Sequence, residues 1–300
     1  RDRSVSRGLG DVYKRQILRY PGGKTQLSKF VRHMLKINHI HNPIYCEVFC
    51  GGAGIAIELL LSGEVHSIIL NDLDPAIYSI WNATINETDR FIDKIQNTPI
   101  TINEWKKQKA IYKGFRDFHG YSFDLAYAAF FLNRTNRSGI ISGGPIGGLN
   151  QSSIYHIDCR FNVPALVKKI RAISSHANQI HLYSEDGVNF IKNILPMYDR
   201  ERLFTYFDPP YYDQGQFLYK NGLTDSYHSC LANVIQNLIH YKWITTYDNV
   251  QRVRDLYEAS RRYIYTLHYT VNRKRHEQEL LFTNQYTEIE SFNNVSLNPI

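Results

Sequence analysis

Short apolar runs recur along the chain, and their spacing predicts the fold class. "YCEVF" (Tyr45 to Phe49) and "HSIILND" (His66 to Asp72) are nearly continuous apolar stretches of strand length, the pattern of strands covered on both faces. Between them "IAIELLLS" lengthens to a helical period, which makes a β-α-β unit. "NDLDPAIYSIWNAT" follows with a strand end and a helix whose first turn accommodates Pro75. The alternation resumes at "IHLYS" (Ile180 to Ser184), "RLFTYF" (Arg202 to Phe207) and "YKWITTY" (Tyr241 to Tyr247), each strand separated from the next by a helical stretch. An α/β fold with a doubly wound, mostly parallel sheet is expected. "RRYIYTLHYTV" and "EQELLFTN", joined by a short basic link, read as an antiparallel hairpin that finishes the sheet.

The rhythm is lost from about Thr84 to Pro164, where helical stretches and a long glycine-rich loop take over. Loops longer than roughly 12 to 15 residues in a compact protein are usually functional or disordered. Residues 84–164 are therefore expected to form an insertion, mainly helical, in a domain made of residues 17–83 and 165–300. The first sixteen residues, "RDRSVSRGLGDVYKRQ", carry no hydrophobic period and resemble a translated cloning adapter, so they are expected to be a non-native tail outside the fold.

Composition narrows the function classes. With 43% hydrophobic residues, 300 positions suffice for a sizeable core, and no apolar run reaches the roughly 18 residues of a membrane span; a cytoplasmic protein without membrane contact is expected. Cys46, Cys50, Cys159 and Cys230 lack Cys-x-x-Cys spacing, so neither a disulfide framework nor a metal site is predicted. The net charge of +7 falls to +4 without the first sixteen residues, which hold five basic and two acidic side chains. A polyanionic partner remains compatible with it.

Three stretches carry candidate chemistry. "RYPGGKT" resembles the end of a phosphate loop, but Leu18 occupies the place where that loop needs its first glycine. "EVFCGGAG" places an acid at a strand end before a glycine turn, so that backbone can approach a nucleoside closely; its elements are Glu47, Gly51, Gly52 and Gly54. Asp72 ends the next strand, where an acid in this fold meets ribose hydroxyls, while Asp74 before Pro75 is the better helix cap. "FDPPYYDQG" delivers Asp208, Pro209, Pro210 and Tyr211 to the carboxyl edge of the sheet. The two prolines fix φ and remove two donors, leaving rigid carbonyls. An amine held between the Asp208 carboxylate and the Pro209 carbonyl would donate both protons, and the Tyr211 ring offers a stacking face for a base.

"RYPGGK", "EVFCGGAG", "NDLDP" and "DPPY", in this order and with a long insertion before the last, resemble the Dam-type family of DNA adenine methyltransferases; "FFLNRTNRSGI" and "TYDNVQRVRDLY" extend the match from Ile17 to about Asn284. The resemblance implies a Rossmann-like catalytic domain, S-adenosylmethionine as cofactor, a flipped adenine in double-stranded DNA as substrate, and residues 84–164 as a target-recognition domain. It further implies that Tyr20 and Lys24 contact the cofactor, Lys24 at its methionine end, that Asp72 binds the ribose and Asp186 the adenine, and that Asp208 lies where cofactor and target base meet. In the insertion, Asn133, Arg134, Asn136 and Arg137 combine base-edge hydrogen bonding with phosphate-binding charge, and Lys106 and Lys113 lie on a basic helical stretch. Arg273 and Lys274, in the terminal hairpin turn, are further candidates for phosphate contact. Val48 stands where the family usually has proline, and "GGPIGGLNQSSIYHIDCRFN" differs from the recognition hairpin of GATC-methylating members, so no target sequence is carried over. A monomer or weak dimer is expected, and a cognate restriction endonuclease is a partner the family suggests.

Three rival readings stand beside this one: a methyltransferase acting on another amine (cytosine, RNA adenine or protein glutamine), a catalytically inactive DNA-binding homologue, and a phosphate-loop nucleotidase already weakened by Leu18.

Overall fold

The computed structural model describes residues 15–19, 24–213, 224–267 and 278–300. An eight-stranded sheet in the order β3-β2-β1-β4-β5-β7-β6-β8 organises the chain. Strands β1 (Ile44–Glu47), β2 (Ser67–Asn71), β3 (Ile180–Tyr183), β4 (Leu203–Phe207) and β5 (Lys242–Asp248) are mutually parallel. Every residue of β1, β2 and β4 is buried, as their unbroken apolar runs require. Alternate residues face opposite layers. Tyr45, Ile68, Leu70, Phe204 and Tyr206 join one core cluster, whereas Ile44, Cys46, Ile69, Leu203 and Phe207 join the other.

The first face is covered by α1 (Ser28–Ile37), α2 (Gly54–Leu61), α3 (Pro75–Asn86) and the inserted helices. The second is covered by the segment from Val188 to Leu195 and by a helix over Asp225–Gln236. The parallel strands are thus doubly wound, and their order reverses between β1 and β4, where Ile44 lies opposite Leu203. At such a switch point the loops leaving the two strands diverge and open a crevice beyond their carboxyl ends.

The stretch after α3 contains α4 (Thr88–Asn97), α5 (Ile102–Gly114) and α6 (Phe123–Thr135) before α7 (Val163–Ser174) restores the rhythm. Thr101 and Ser122 cap α5 and α6 by accepting from Glu104 N (3.2 Å) and Leu125 N (3.4 Å). Each residue of α6 except Asp124 is buried, because it is wrapped by its neighbours; Phe130 meets Phe91 of α4 edge-on at 5.1 Å. These helices share one core with the first face of the sheet. Helix α3 runs through Thr84 rather than stopping there.

The chain end is more elaborate than a hairpin. Strand β7 (Gln278–Thr283) lies between β5 and β6 (Arg261–Leu267), antiparallel to both. An unanticipated strand, β8 (Val295–Pro299), then adds to the free edge of β6. Its sequence, VSLNP, buries only its first residue, so hydrophobic pattern gives it no signal. Among the described residues, no helix is long and apolar enough to cross a membrane.

Candidate active site

Glu47 closes β1 and is 6% exposed. Its Oε1 accepts Ala56 N of α2 at 3.0 Å. Burial, with the charge of Asp208 adding to it, pushes its carboxyl up to about 8. In the turn that follows, Gly51 adopts φ of 43°, a conformation natural to glycine. Asp72 holds that turn: Oδ2 accepts Gly51 N at 2.8 Å and Oδ1 accepts Asp74 N at 3.0 Å. The indole of Trp81 donates to Gly51 O at 2.9 Å. Asp72 is pushed up to about 7, mainly by burial and then by Asp74. Asp74 itself caps α3 through Ala76 N at 2.8 Å.

Buried Asn71, the first residue of "NDLDP", joins the loops of the sheet's carboxyl edge. Its Nδ2 donates to Val48 O and Glu185 O, and its Oδ1 accepts Glu185 N, all at 2.9 Å. Asp186 follows directly. Its Oδ1 accepts Val188 N (3.0 Å) and Asn189 N (3.1 Å), and its Oδ2 accepts the Tyr227 hydroxyl at 2.5 Å. Both oxygens therefore hold protein groups. A Cβ on Gly187 would come within 2.6 Å of the Phe49 ring, so glycine lets this loop close on the turn after β1.

Strand β4 delivers Asp208 to the other side of the switch point. Its Oδ1 accepts Thr246 Oγ1 at 2.7 Å, and Thr246 is also 2.8 Å from the Tyr206 hydroxyl. Burial raises the Asp208 carboxyl to about 6, against the opposing pull of the Lys24 ammonium and the Thr246 hydrogen bond. Pro209 is buried and Pro210 half-buried. Tyr211 is held by its hydroxyl, which donates to Glu279 Oε2 at 2.7 Å and accepts from Lys24 Nζ. Lys24 also pairs with Glu279 at 2.5 Å and lies 4.9 Å from the Tyr211 ring centre. Beyond Tyr211, the two oxygens of Asp248 accept Tyr212 N and Asp213 N at 2.9 Å each. The structure thus brings Lys24 to Asp208 and Tyr211, and adds Thr246, Asp248, Tyr265 and Glu279 to the site. "TYDNV" contained the first two as a strand-end Thr and Asp, a signal available in the sequence; Tyr265 and Glu279 become neighbours only through sheet register.

The expected DNA-contacting residues separate into two groups. Lys106, Lys113 and Arg137 are exposed. Asn133, Arg134 and Asn136 are buried at 1%, 2% and 0% exposure, which corrects the expectation that they present hydrogen bonds to bases. Asn133 accepts Arg19 N (2.9 Å) and donates to Arg19 O (2.9 Å) and Gly139 O (2.8 Å). Arg134 donates to Arg160 O (2.8 Å). Asn136 accepts the Trp105 indole (2.6 Å) and donates to Ile140 O and Ile141 O (2.9 Å each). Buried amides require such partners, and the loop's own carbonyls supply them. Gly139, at φ of 78°, approaches Arg19 so closely that a Cβ would overlap its carbonyl oxygen. "LNRTNRSG" therefore anchors Arg19 to the end of α6 and the loop that follows it. Tyr20, Arg273 and Lys274 lie outside the described residues.

Two solved structures of the rRNA methyltransferase aviRa from Streptomyces viridochromogenes are similar to the chain at 10% identity and a TM-score of 0.39; the matches cover 94% of this chain and 93% of that one, and 95% and 94%, respectively. No curated protein matches. The family model described as D12 class N6 adenine-specific DNA methyltransferase matches residues 20–276, a span that holds Lys24, the glycine turn, Asp72, the insertion and Asp208 to Tyr211. The chain belongs to the D12 class of N6 adenine-specific DNA methyltransferases.

Proposed function

We propose that this methyltransferase uses S-adenosylmethionine to methylate N6 of an adenine swung out of double-stranded DNA. The observation that carries the reading is Asp208, fixed by Thr246 at the end of β4 and adjoining a tyrosine whose ring is tied in place. Asp208 and the Pro209 carbonyl accept hydrogen bonds from the two amine N–H groups, which leaves the nitrogen lone pair free to face away from them and attack the methyl group, one of the two protons leaving once the new bond has formed. Tyr211 stacks on the extruded base and offsets part of the few kcal/mol that unstacking requires. No tuned general base is needed, because fixed acceptors and placement supply the acceleration.

The residues fit the cofactor on chemical grounds. Glu47, Asp72 and Asp208 end three adjacent strands, a row of carboxyl groups at the sheet's carboxyl edge that can accept hydrogen bonds from a ligand carrying hydroxyls. Lys24 would hold its carboxylate, Asp72 its ribose, the turn at Gly51, Gly52 and Gly54 its backbone-facing side, and Tyr20 and Asp186 its remaining contacts. When bound, S-adenosylmethionine supplies a methyl group activated by a sulfonium. Lys106, Lys113 and Arg137 supply phosphate-binding charge, to which Arg273 and Lys274 add. A monomer or weak dimer is sufficient for this chemistry, and a cognate endonuclease would act as a separate chain.

The test is DNA from a methylation-free host, incubated with enzyme and labelled S-adenosylmethionine, then digested to nucleosides. N6-methyladenine is expected with the wild type, and none with Asp208→Ala at unchanged Tm. The wild-type rate should fall about tenfold per pH unit below about 6, where Asp208 becomes protonated. Label in methylcytosine, or turnover by Asp208→Ala, would refute the assignment.

A further inference from the structure

Glu279 enters the site from β7, and sheet register sets its position: it stands opposite Asp248 on one side and Tyr265 on the other. Three donors converge on its Oε2, namely Lys24 Nζ at 2.5 Å, the Tyr211 hydroxyl at 2.7 Å and the Tyr265 hydroxyl. Lys24 also donates to the Tyr211 hydroxyl, so Lys24, Tyr211 and Glu279 form a closed triangle. The Lys24 and Glu279 side chains are only 8% and 16% exposed, an enclosure in which salt screens little and removing either partner would strand a charge.

The triangle has two consequences. A stacking platform works best when its plane is set before the base arrives, and a ring tethered at its hydroxyl cannot swing away. Lys24 donates to both the Tyr211 hydroxyl and Glu279, which fixes the direction of its ammonium group. We infer that Glu279 is a positioning residue of the transfer reaction: it locks the Tyr211 ring in its stacking plane and aims Lys24 at the carboxylate of the methyl donor, so that the terminal antiparallel strand is part of the active site. The inference rests on the roles proposed above for Asp208 and Tyr211.

Glu279→Gln keeps the shape and removes the charge; Tyr211→Phe keeps the ring and removes the tether. The full chain, both variants and the double variant are assayed for S-adenosylmethionine affinity by calorimetry and for kcat on DNA from a methylation-free host. Glu279→Gln should weaken cofactor binding and lower kcat, each about tenfold, when assayed well below its Tm, which should itself fall because the Lys24 ammonium is left without its counter-charge. Tyr211→Phe should lower kcat with a smaller effect on affinity, and the double variant should be no slower than the slower single one. Values within twofold of wild type for Glu279→Gln, additive losses in the double variant, or recovery of kcat on cooling a destabilised Glu279→Gln would overturn the inference. If Asp208→Ala is inactive while Glu279→Gln is normal, the role of Glu279 alone fails; if Asp208→Ala turns over, the underlying reading fails.

Discussion

Glu47→Gln separates what the site needs from what the fold prefers. The carboxyl is 6% exposed and accepts Ala56 N at 3.0 Å; a glutamine amide oxygen can accept the same bond. In the folded protein the group ionises near 8 instead of 4.5, chiefly because burial disfavours the charged form. The folded state thus keeps a proton that the unfolded chain gives up, so stability is greatest below about 4.5, declines as pH rises towards 8, and is level above it. At about 1.36 kcal/mol per pH unit the whole window is worth about 5 kcal/mol, of which roughly 3 kcal/mol falls between pH 6 and 8.5. Urea unfolding of both proteins at those two pH values isolates this contribution, since Asp72 and Asp208 titrate in both and cancel in the difference. The stability of Glu47→Gln relative to wild type should rise by about 2 to 3 kcal/mol from the lower pH to the higher. A difference that stays constant, or a wild type that gains on the variant as pH rises, would show that Glu47 is not held protonated by burial. The same substitution should weaken S-adenosylmethionine binding, the usual opposition between a strained functional group and stability.

Two further outcomes follow from the insertion. Asn133→Ala leaves the Arg19 amide and carbonyl and the Gly139 carbonyl without their partner, and should lower unfolding free energy by about 2 to 4 kcal/mol; Gly139→Ala, which would crowd the Arg19 carbonyl, should act in the same direction, and unchanged urea midpoints for both would disprove the anchoring role. Lys106→Ala and Lys113→Ala should weaken DNA binding, and each should reduce the slope of log K against log salt by about 0.9 for every phosphate the side chain had neutralised. Identical slopes for variant and wild type would remove those lysines from the interface.

Periodicity made the parallel strands readable: β1, β2, β4 and β5 lie within a residue or two of the runs that announced them, because a strand covered on both faces must be apolar throughout. The position of the acids at their ends was readable for a related reason. Glu47 closes β1 and Asp72 and Asp208 directly follow β2 and β4, and a charged residue there is placed at the sheet's edge by the strand itself. β8 escaped because an edge strand that buries one residue needs no apolar pattern. Asn133, Arg134 and Asn136 misled because a polar residue destined for the interior carries the same local signature as one facing solvent. Their burial depends on how α6 and the following loop fold back on Arg19, which local sequence does not state.

What the chain determined by itself was the class of fold and the corner built from Asp208, Pro209, Pro210 and Tyr211, since both follow from residues adjacent in sequence. What the tertiary structure decided was company: Lys24 meets Tyr211 across 187 positions and Glu279 across 255. Those meetings are set by antiparallel register and by the path of the N-terminal segment, and neither leaves a local trace, because hydrogen-bonding partners far apart in the chain are chosen by the sheet that brings them together.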